Sequence, residues 1–144
     1  MFNNNEDIFN LNFRPPQNAM MRPNLLAQYI QDPTSHSYDQ ILILDARLPS
    51  QFSHGHINGA INITSFAQIL NVYNACINQR TCVICYCEYS NNRSPSVYLK
   101  IRHYDRENHI NEYPKLTIPD LYVLEGGYNS FIHQYKELCV GNWN

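Results

Sequence analysis

VICYCEYSNNRSPSVY, residues 83 to 98, opens as an apolar run, turns polar at Cys87 and takes on helical spacing past Arg93. A strand that hands over to a helix through a loop of this size is the join of an α/β unit. In an open parallel sheet, ligands bind where such strands end and helices begin. The loop can turn successive backbone N–H groups inward, and the helix after Ser94 adds its positive end to the same spot. Pro95 suits the first helical turn, where its missing N–H costs nothing. Arg93 offers a planar, permanently charged fork for two oxygens of an oxyanion. That environment is expected to hold Cys87 as the nucleophilic thiolate. The bland alternative makes Cys87 a small buried hydrophobe and Arg93 a surface residue. Of the five cysteines, only Cys87 has an arginine six residues on, and the match falls on the strand-to-helix junction where the chemistry needs it.

Working outward, ILILD (41–45) reads as a strand buried on both faces. Asn24 is expected to cap a short helix, LLAQYIQ, that Asp32-Pro33 ends. GHINGAINI (55–63) carries a turn into a short second strand, and SFAQILNVYNACIN (65–78) is helical, with Phe66, Ile69, Leu70, Tyr73 and Ile77 on its inner side. TCVICY (81–86) is the third strand, SPSVYLKIRHYDR (94–106) the next helix and LYVL (121–124) the last strand. Gly126-Gly127 then leads into a closing helix, YNSFIHQYKEL. Short apolar strands alternating with helices give an α/β fold, a central parallel sheet flanked by helices on both faces. Residues 1–22, polar and broken by Pro15 and Pro16, read as an extended N-terminal arm.

A chain of 144 residues with 44% apolar content can bury one core without disulfides or metal. A net charge of -2 argues against nucleic-acid or anionic-membrane partners bound by bulk electrostatics, so any anion site is local. The N-terminus has no basic segment followed by an apolar run, as a secretory signal would, and no stretch reaches membrane-span length. An odd cysteine count fits a reducing compartment, cytoplasm or nucleus. Cys82, Cys85 and Cys87 crowd one segment, but alternation turns Cys82 away from the other two, so no metal site is expected. His56 reads as a structural hydrogen-bonding residue. Tyr98, Ile101 and Tyr104 read as core, and Lys100, Arg102 and Arg106 as a solvated helix face.

CEYSNNRSP, LDARLPSQFSHGHINGAINI and NEYPKLTIPDLYVLEGGYNSF together resemble the M-phase inducer phosphatases, dual-specificity protein phosphatases of the cell-division cycle built on a rhodanese fold. The resemblance runs from about Pro23 to Cys139 and implies a catalytic domain over residues 23–144. It implies that Cys87 attacks phosphorus to form a thiophosphate, and that Arg93 holds the phosphoryl oxygens. The amides of Glu88, Tyr89, Ser90, Asn91, Asn92 and Arg93 would line the phosphate cradle. Asp120 matches a family position carrying a glutamate proposed as general acid, with Glu88 as the other carboxylate near the loop. Asp45 and Arg47 match a structural pair.

Three positions depart from the family. Tyr86 stands for its usual histidine, Ser94 for a small residue, and Ala46 for its resolving cysteine. A hydroxyl at Ser94 would assist the thiolate as leaving group. The sequence ends at Asn144 without the C-terminal segment that aids docking in longer relatives, so partner affinity is expected to differ. The partner implied is a phosphorylated protein, a cyclin-dependent kinase, and no cofactor is required. An arsenate reductase on the same fold would use the same Cys87 and Arg93. A sulfurtransferase would have a loop one residue shorter. A non-catalytic phosphoprotein-binding module is the reading from another class.

Overall fold

The computed structural model describes residues 13–141. The two strands that the sequence marks most strongly form the centre. β2 (Gln40–Asp45) pairs in parallel with β5 (Thr81–Tyr86) over their full length, from Gln40 opposite Thr81 to Asp45 opposite Tyr86. Branched apolar residues fit a pleated surface covered on both sides. β6 (Asp120–Leu124) lies on the other side of β5 and β4 (Ile61–Asn62) on the other side of β2. The edge of β6 is closed by β1 (Met20–Met21), giving a five-stranded parallel sheet in the order β1-β6-β5-β2-β4. An unpaired edge exposes N–H and C=O groups, and β1 satisfies those of β6.

Residues 13–22 are therefore part of the fold and not a free arm. Gln17–Ala19 form a single helical turn, Met21 is buried, and the Phe13 ring stacks on Tyr98 at 6.2 Å. Residues 1–12 of the expected arm lie outside the described residues.

α1 (Pro23–Gln31) starts one residue before the expected Asn24 cap. Proline at the first helical position has its φ preset and loses no bond, so Arg22 precedes the helix without a side-chain cap. After Gln31 the Asp32 carboxylate accepts from Thr34 N at 3.0 Å, and Pro33 prevents continuation. α2 (Pro49–His54) runs into β3 (Gly55–Ile57), and Gly59 turns the chain at φ 81° before β4, so the expected second strand is two strands in different sheets.

α3 (Phe66–Ala75) is capped by Ser65 and Gln68, each side chain serving the other's backbone. Its buried face holds Phe66, Ile69, Val72 and Tyr73, with Cys76 just past its end. Ile77, expected on that face, is half exposed because the helix has ended two residues before it.

α4 (Arg93–Asn108) packs on β5 and β6. Tyr98 and Ile101 are buried as expected, but Lys100 is only 3% exposed, with its Nζ 3.3 Å from Ser96 Oγ. Arg102 reaches the Ile118 carbonyl at 2.7 Å, which leaves Arg106 as the exposed member of the expected solvated face. Sixteen helical residues span more than the sheet's edge, so the first three turns lie against it and even their polar members are covered.

α5 (Gly127–Gln134) is shorter than the expected closing helix and passes through one turn at Lys136–Leu138 into β7 (Cys139–Gly141). β7 pairs antiparallel with β3, Ile57 opposite Cys139. One core cluster holds Cys85 and Cys87 with Leu44, Val83 and Val97; the other, across the sheet, holds Cys82 with Ile84, Tyr86 and Phe131. The alternation read from the sequence is thus realised.

Candidate active site

β5 delivers Cys87 to the carboxyl edge of the sheet, and residues 87–92 form a loop that ends at the first turn of α4. Ser90 takes φ 56°, a left-handed conformation that short polar residues tolerate and that turns the loop back on itself. Asn92 caps α4, its Oδ1 accepting from Arg93 N at 2.6 Å. The Cys87 sulfur lies at the helix mouth, 3.4 Å from Ser94 N and 3.3 Å from Ser94 Oγ. A backbone N–H and a hydroxyl at a helix N-terminus thus bracket the sulfur. Cys87 is 2% exposed, so what reaches it comes through the loop.

The other four cysteines are free and buried. Burial pushes Cys82 up to about 12 and Cys139 up to about 11, and raises Cys76 and Cys85 as well, so all four stay protonated thiols near neutrality.

Two neighbouring elements shape the loop. On one side stands the end of β2, the tripeptide Asp45-Ala46-Arg47. Arg93 Nε donates to the Ala46 carbonyl at 2.6 Å, and Ala46 N donates to the Tyr86 carbonyl at 2.8 Å. Arg47 is 4% exposed; its Nη2 meets Asp45 Oδ2 at 2.8 Å, its Nη1 reaches Glu88 Oε1 at 3.4 Å, and its guanidinium lies 4.0 Å over the Tyr128 ring.

On the other side, the N-terminus of α5 takes the loop's carbonyls, Tyr128 N donating to Cys87 O and Asn129 N to Glu88 O, both at 2.9 Å. A trans peptide points its N–H opposite to its C=O, so the amides of Glu88 and Tyr89 face away from α5 and into the loop. Gly127 makes this approach possible. It sits at φ 62°, and a Cβ there would lie 2.5 Å from Cys87 O.

Cys87, Glu88, Tyr89, Ser90, Asn91, Asn92, Arg93 and Ser94 are thus brought together in one loop, with Tyr89, Asn91 and Asn92 exposed and the Ser90 Oγ buried without a hydrogen-bond partner among the described residues. Asp120 is not brought there. It pairs with Cys82 at the amino end of the sheet, five residues before Cys87 along β5. At about 3.3 Å per strand residue that separation is about 16 Å, so Asp120 cannot hand a proton to a group at Cys87.

His56 is structural, its Nδ1 2.8 Å from Phe52 O and its ring 3.8 Å from the Phe52 ring. Arg47's reach to Glu88 and the Ala46 carbonyl's hold on Arg93 were missed in the sequence; their signal was DAR placed at the carboxyl end of a central strand, beside the loop. Among the described residues, no group of three or more His, Cys, Asp or Glu could hold a metal ion, and no helix is long and apolar enough to cross a membrane.

The model of the rhodanese-like domain family matches residues 23–134, and the chain belongs to that family. Within it, the chain is similar to the M-phase inducer phosphatase of Emericella nidulans, 38% identical over 102 residues that make up 71% of this chain and 18% of the relative. The chain spans about a fifth of the length of the curated relatives it matches. Among solved structures, an As-Sb reductase from Leishmania major superposes with a TM-score of 0.70 at 18% identity, covering 87% of this chain and 86% of that one. Ygr203w of Saccharomyces cerevisiae, described as a homolog of single-domain rhodanese and the Cdc25 phosphatase catalytic domain, gives 0.68 at 18% identity over 87% and 91%. At such identities the two structures speak for the fold.

Proposed function

We propose that the chain is a cysteine-dependent protein phosphatase of dual specificity, acting on a phosphorylated cyclin-dependent kinase in cell-cycle control. The observation that carries this reading is the Cys87 sulfur at the mouth of α4, bonded to Ser94 N and Oγ, in a loop whose carbonyls are drawn outward and whose arginine is held at Ala46. The sequence similarity to M-phase inducer phosphatases supports the substrate class.

In the first step the thiolate attacks phosphorus, the S–P bond forms and the bond from phosphorus to the substrate's Tyr or Thr oxygen breaks. Arg93 and the inward amides hold the equatorial oxygens as charge develops there. The leaving oxygen takes a proton. With Asp120 at the far end of the sheet, Glu88 is the carboxylate of the loop that can serve this step. In the second step water attacks phosphorus and gives a proton to the Glu88 carboxylate left by the first step, the S–P bond breaks, and the Ser94 hydroxyl donates a hydrogen bond to the returning thiolate. The free, buried cysteines fit a reducing compartment, the cytoplasm or nucleus.

The test is turnover of p-nitrophenyl phosphate by wild type and Cys87→Ser, with arsenate reduction assayed in parallel. Phosphate release by wild type alone, together with a labelled thiophosphate trapped at Cys87, supports the reading. Arsenate reduction without phosphate release would assign the loop to the reductase chemistry, and oxyanion binding without either reaction to a binding module.

A further inference from the structure

Of the eleven tyrosines, Tyr89 and Tyr113 are exposed, and of these Tyr89 belongs to the nucleophile loop. Single exposed apolar residues are common, so its place is what matters. Tyr89 is 58% exposed, and among the described residues it has no hydrogen-bond, ion-pair or ring partner. Its backbone is nonetheless fixed. The Glu88 carbonyl accepts from Asn129 N at 2.9 Å, which turns the Tyr89 N–H into the loop, and Ser90 follows at φ 56°. A free ring thus stands on an anchored Cα. It stands, moreover, on the side from which a phosphate must come. The end of β2 closes one flank of the loop, through the Ala46 carbonyl on Arg93, and Gly127 at the start of α5 closes the other. Beneath, Cys87 packs in a core cluster with Val83 and Val97. On the remaining side Tyr89, Asn91 and Asn92 are exposed, and Tyr89 is the apolar member.

We infer that Tyr89 is a specificity-determining residue, its ring packing against the aryl ring of a phosphotyrosine whose phosphate sits in the loop. An oxyanion oxygen held by the Tyr89 N–H lies about 4–5 Å from the Tyr89 Cα. Both rings are a few bonds from that oxygen, one through Cα and Cβ, the other through the ester oxygen. Their centres therefore come within about 4.5–7 Å, the spacing of an aromatic pair. A phosphothreonine brings only a methyl to the same place and covers far less apolar area. The loop's amides and Arg93 grip either phosphate alike, so the ring sets the preference. That preference takes its meaning from the phosphatase reading of the loop, whereas contact between the rings needs only that the loop bind an oxyanion.

Tyr89→Ala removes a ring that no hydrogen bond or ring contact of the described fold depends on. Two peptides of one sequence, carrying phosphotyrosine or phosphothreonine, give a ratio of kcat/KM in which the shared phosphate cradle cancels. That ratio is expected to fall about tenfold in Tyr89→Ala, the size of one aromatic pair together with the area it covers. Tyr89→Phe keeps the ring and is expected to keep the ratio of wild type. Benzylphosphonate and ethylphosphonate, whose C–P bonds are not hydrolysed, give the corresponding ratio of affinities by calorimetry, with the same loss expected in Tyr89→Ala. A ratio unchanged in Tyr89→Ala, or lowered as much by Tyr89→Phe, overturns the inference and leaves the phosphatase reading standing wherever peptide turnover persists. A phosphonate ratio lowered in Tyr89→Ala, with no turnover of either peptide by wild type, upholds the ring contact and sinks the phosphatase reading. A wild type that binds neither phosphonate and turns over neither peptide overturns both.

Discussion

The two ends of the central sheet carry similar side chains and put them to opposite use. At the carboxyl end are a cysteine, an arginine and a carboxylate: Cys87, Arg93 and Glu88. At the amino end are Cys82, Arg102 and Asp105. In a parallel sheet every strand-to-helix turn falls at the carboxyl end, so the helix N-termini of α4 and α5 both point there. The first amides of α5 take the loop's carbonyls, which leaves the inward amides of the loop to meet an anion from outside. At the amino end the anion is internal. Asp105, fully buried, accepts Thr117 N at 2.9 Å, Ile118 N at 2.8 Å and the Tyr73 hydroxyl at 2.8 Å, with Arg102 3.5 Å away. The same donors that make a site at one edge make a brace at the other. What distinguishes them is whether a carboxylate of the chain already occupies the backbone donors, as Asp105 does.

That difference can be broken from either side. Asp105→Ala removes a buried carboxylate with an arginine partner and strands two backbone donors, so unfolding stability is expected to drop by about 3–5 kcal/mol. Urea unfolding measures it, and tungstate affinity of the folded fraction is expected to hold. Arg93→Lys is the mirror experiment. An ammonium keeps the charge but cannot reach both the Ala46 carbonyl and two oxyanion oxygens, so kcat/KM on p-nitrophenyl phosphate is expected to fall about 10²–10³-fold with urea stability unchanged. An Asp105 variant that lost tungstate at full stability would erase the contrast between brace and site.

A smaller effect sharpens the boundary between fold and site. Gly127→Ala strains a left-handed position by about 1–2 kcal/mol and drives a methyl against the Cys87 and Glu88 carbonyls, so turnover should fall about tenfold beyond the stability loss. Gly59→Ala carries the same backbone strain at φ 81° with nothing within 4 Å, and is expected to cost stability alone. Equal turnover in the two variants would mean that α5 does not shape the loop.

How far the sequence displays all this depends on what each feature rests on. β2, β5 and α4 rest on their own residues, branched apolar runs and helical spacing, and are legible. β1 and β7, of two and three residues, exist because β6 and β3 offer partners, and nothing local announces them. Lys100 looks solvated by composition and is buried because α4 lies along the sheet. The loop was legible because a polar break after a buried strand is unusual. Its support from Arg47 and Gly127 was not, since both contacts join segments about 40 residues apart. The position of Asp120 is a different matter. A residue opening one parallel strand and a residue following another must lie at opposite ends of the sheet, and that much could be read from the order of the elements.

The smallest expected effect therefore belongs to Asp120→Asn. A general acid shows itself by a loss that grows as the leaving group worsens, because a poor leaving oxygen needs the proton more. If Asp120 played that part, phenyl phosphate would suffer far more than p-nitrophenyl phosphate. About 16 Å of strand separates it from Cys87, so turnover of both is expected to stay within about twofold of wild type. The change should register where Asp120 actually sits. There burial first, and the Asp120 charge second, raise the phenol of Tyr122, and Asp120 adds to the elevation of Cys82 after burial. Removing the charge leaves desolvation and the smaller effects of Cys82 and Tyr29, so the Tyr122 phenolate should form at a lower pH, visible as an earlier rise in absorbance at 295 nm against Asp120→Asn, Tyr122→Phe. Glu88→Gln completes the comparison, since it stands on the loop and should show the leaving-group-dependent loss. Should the dependence follow Asp120 instead, the register of β6 on β5 would have to be wrong, and with it the separation of the two ends.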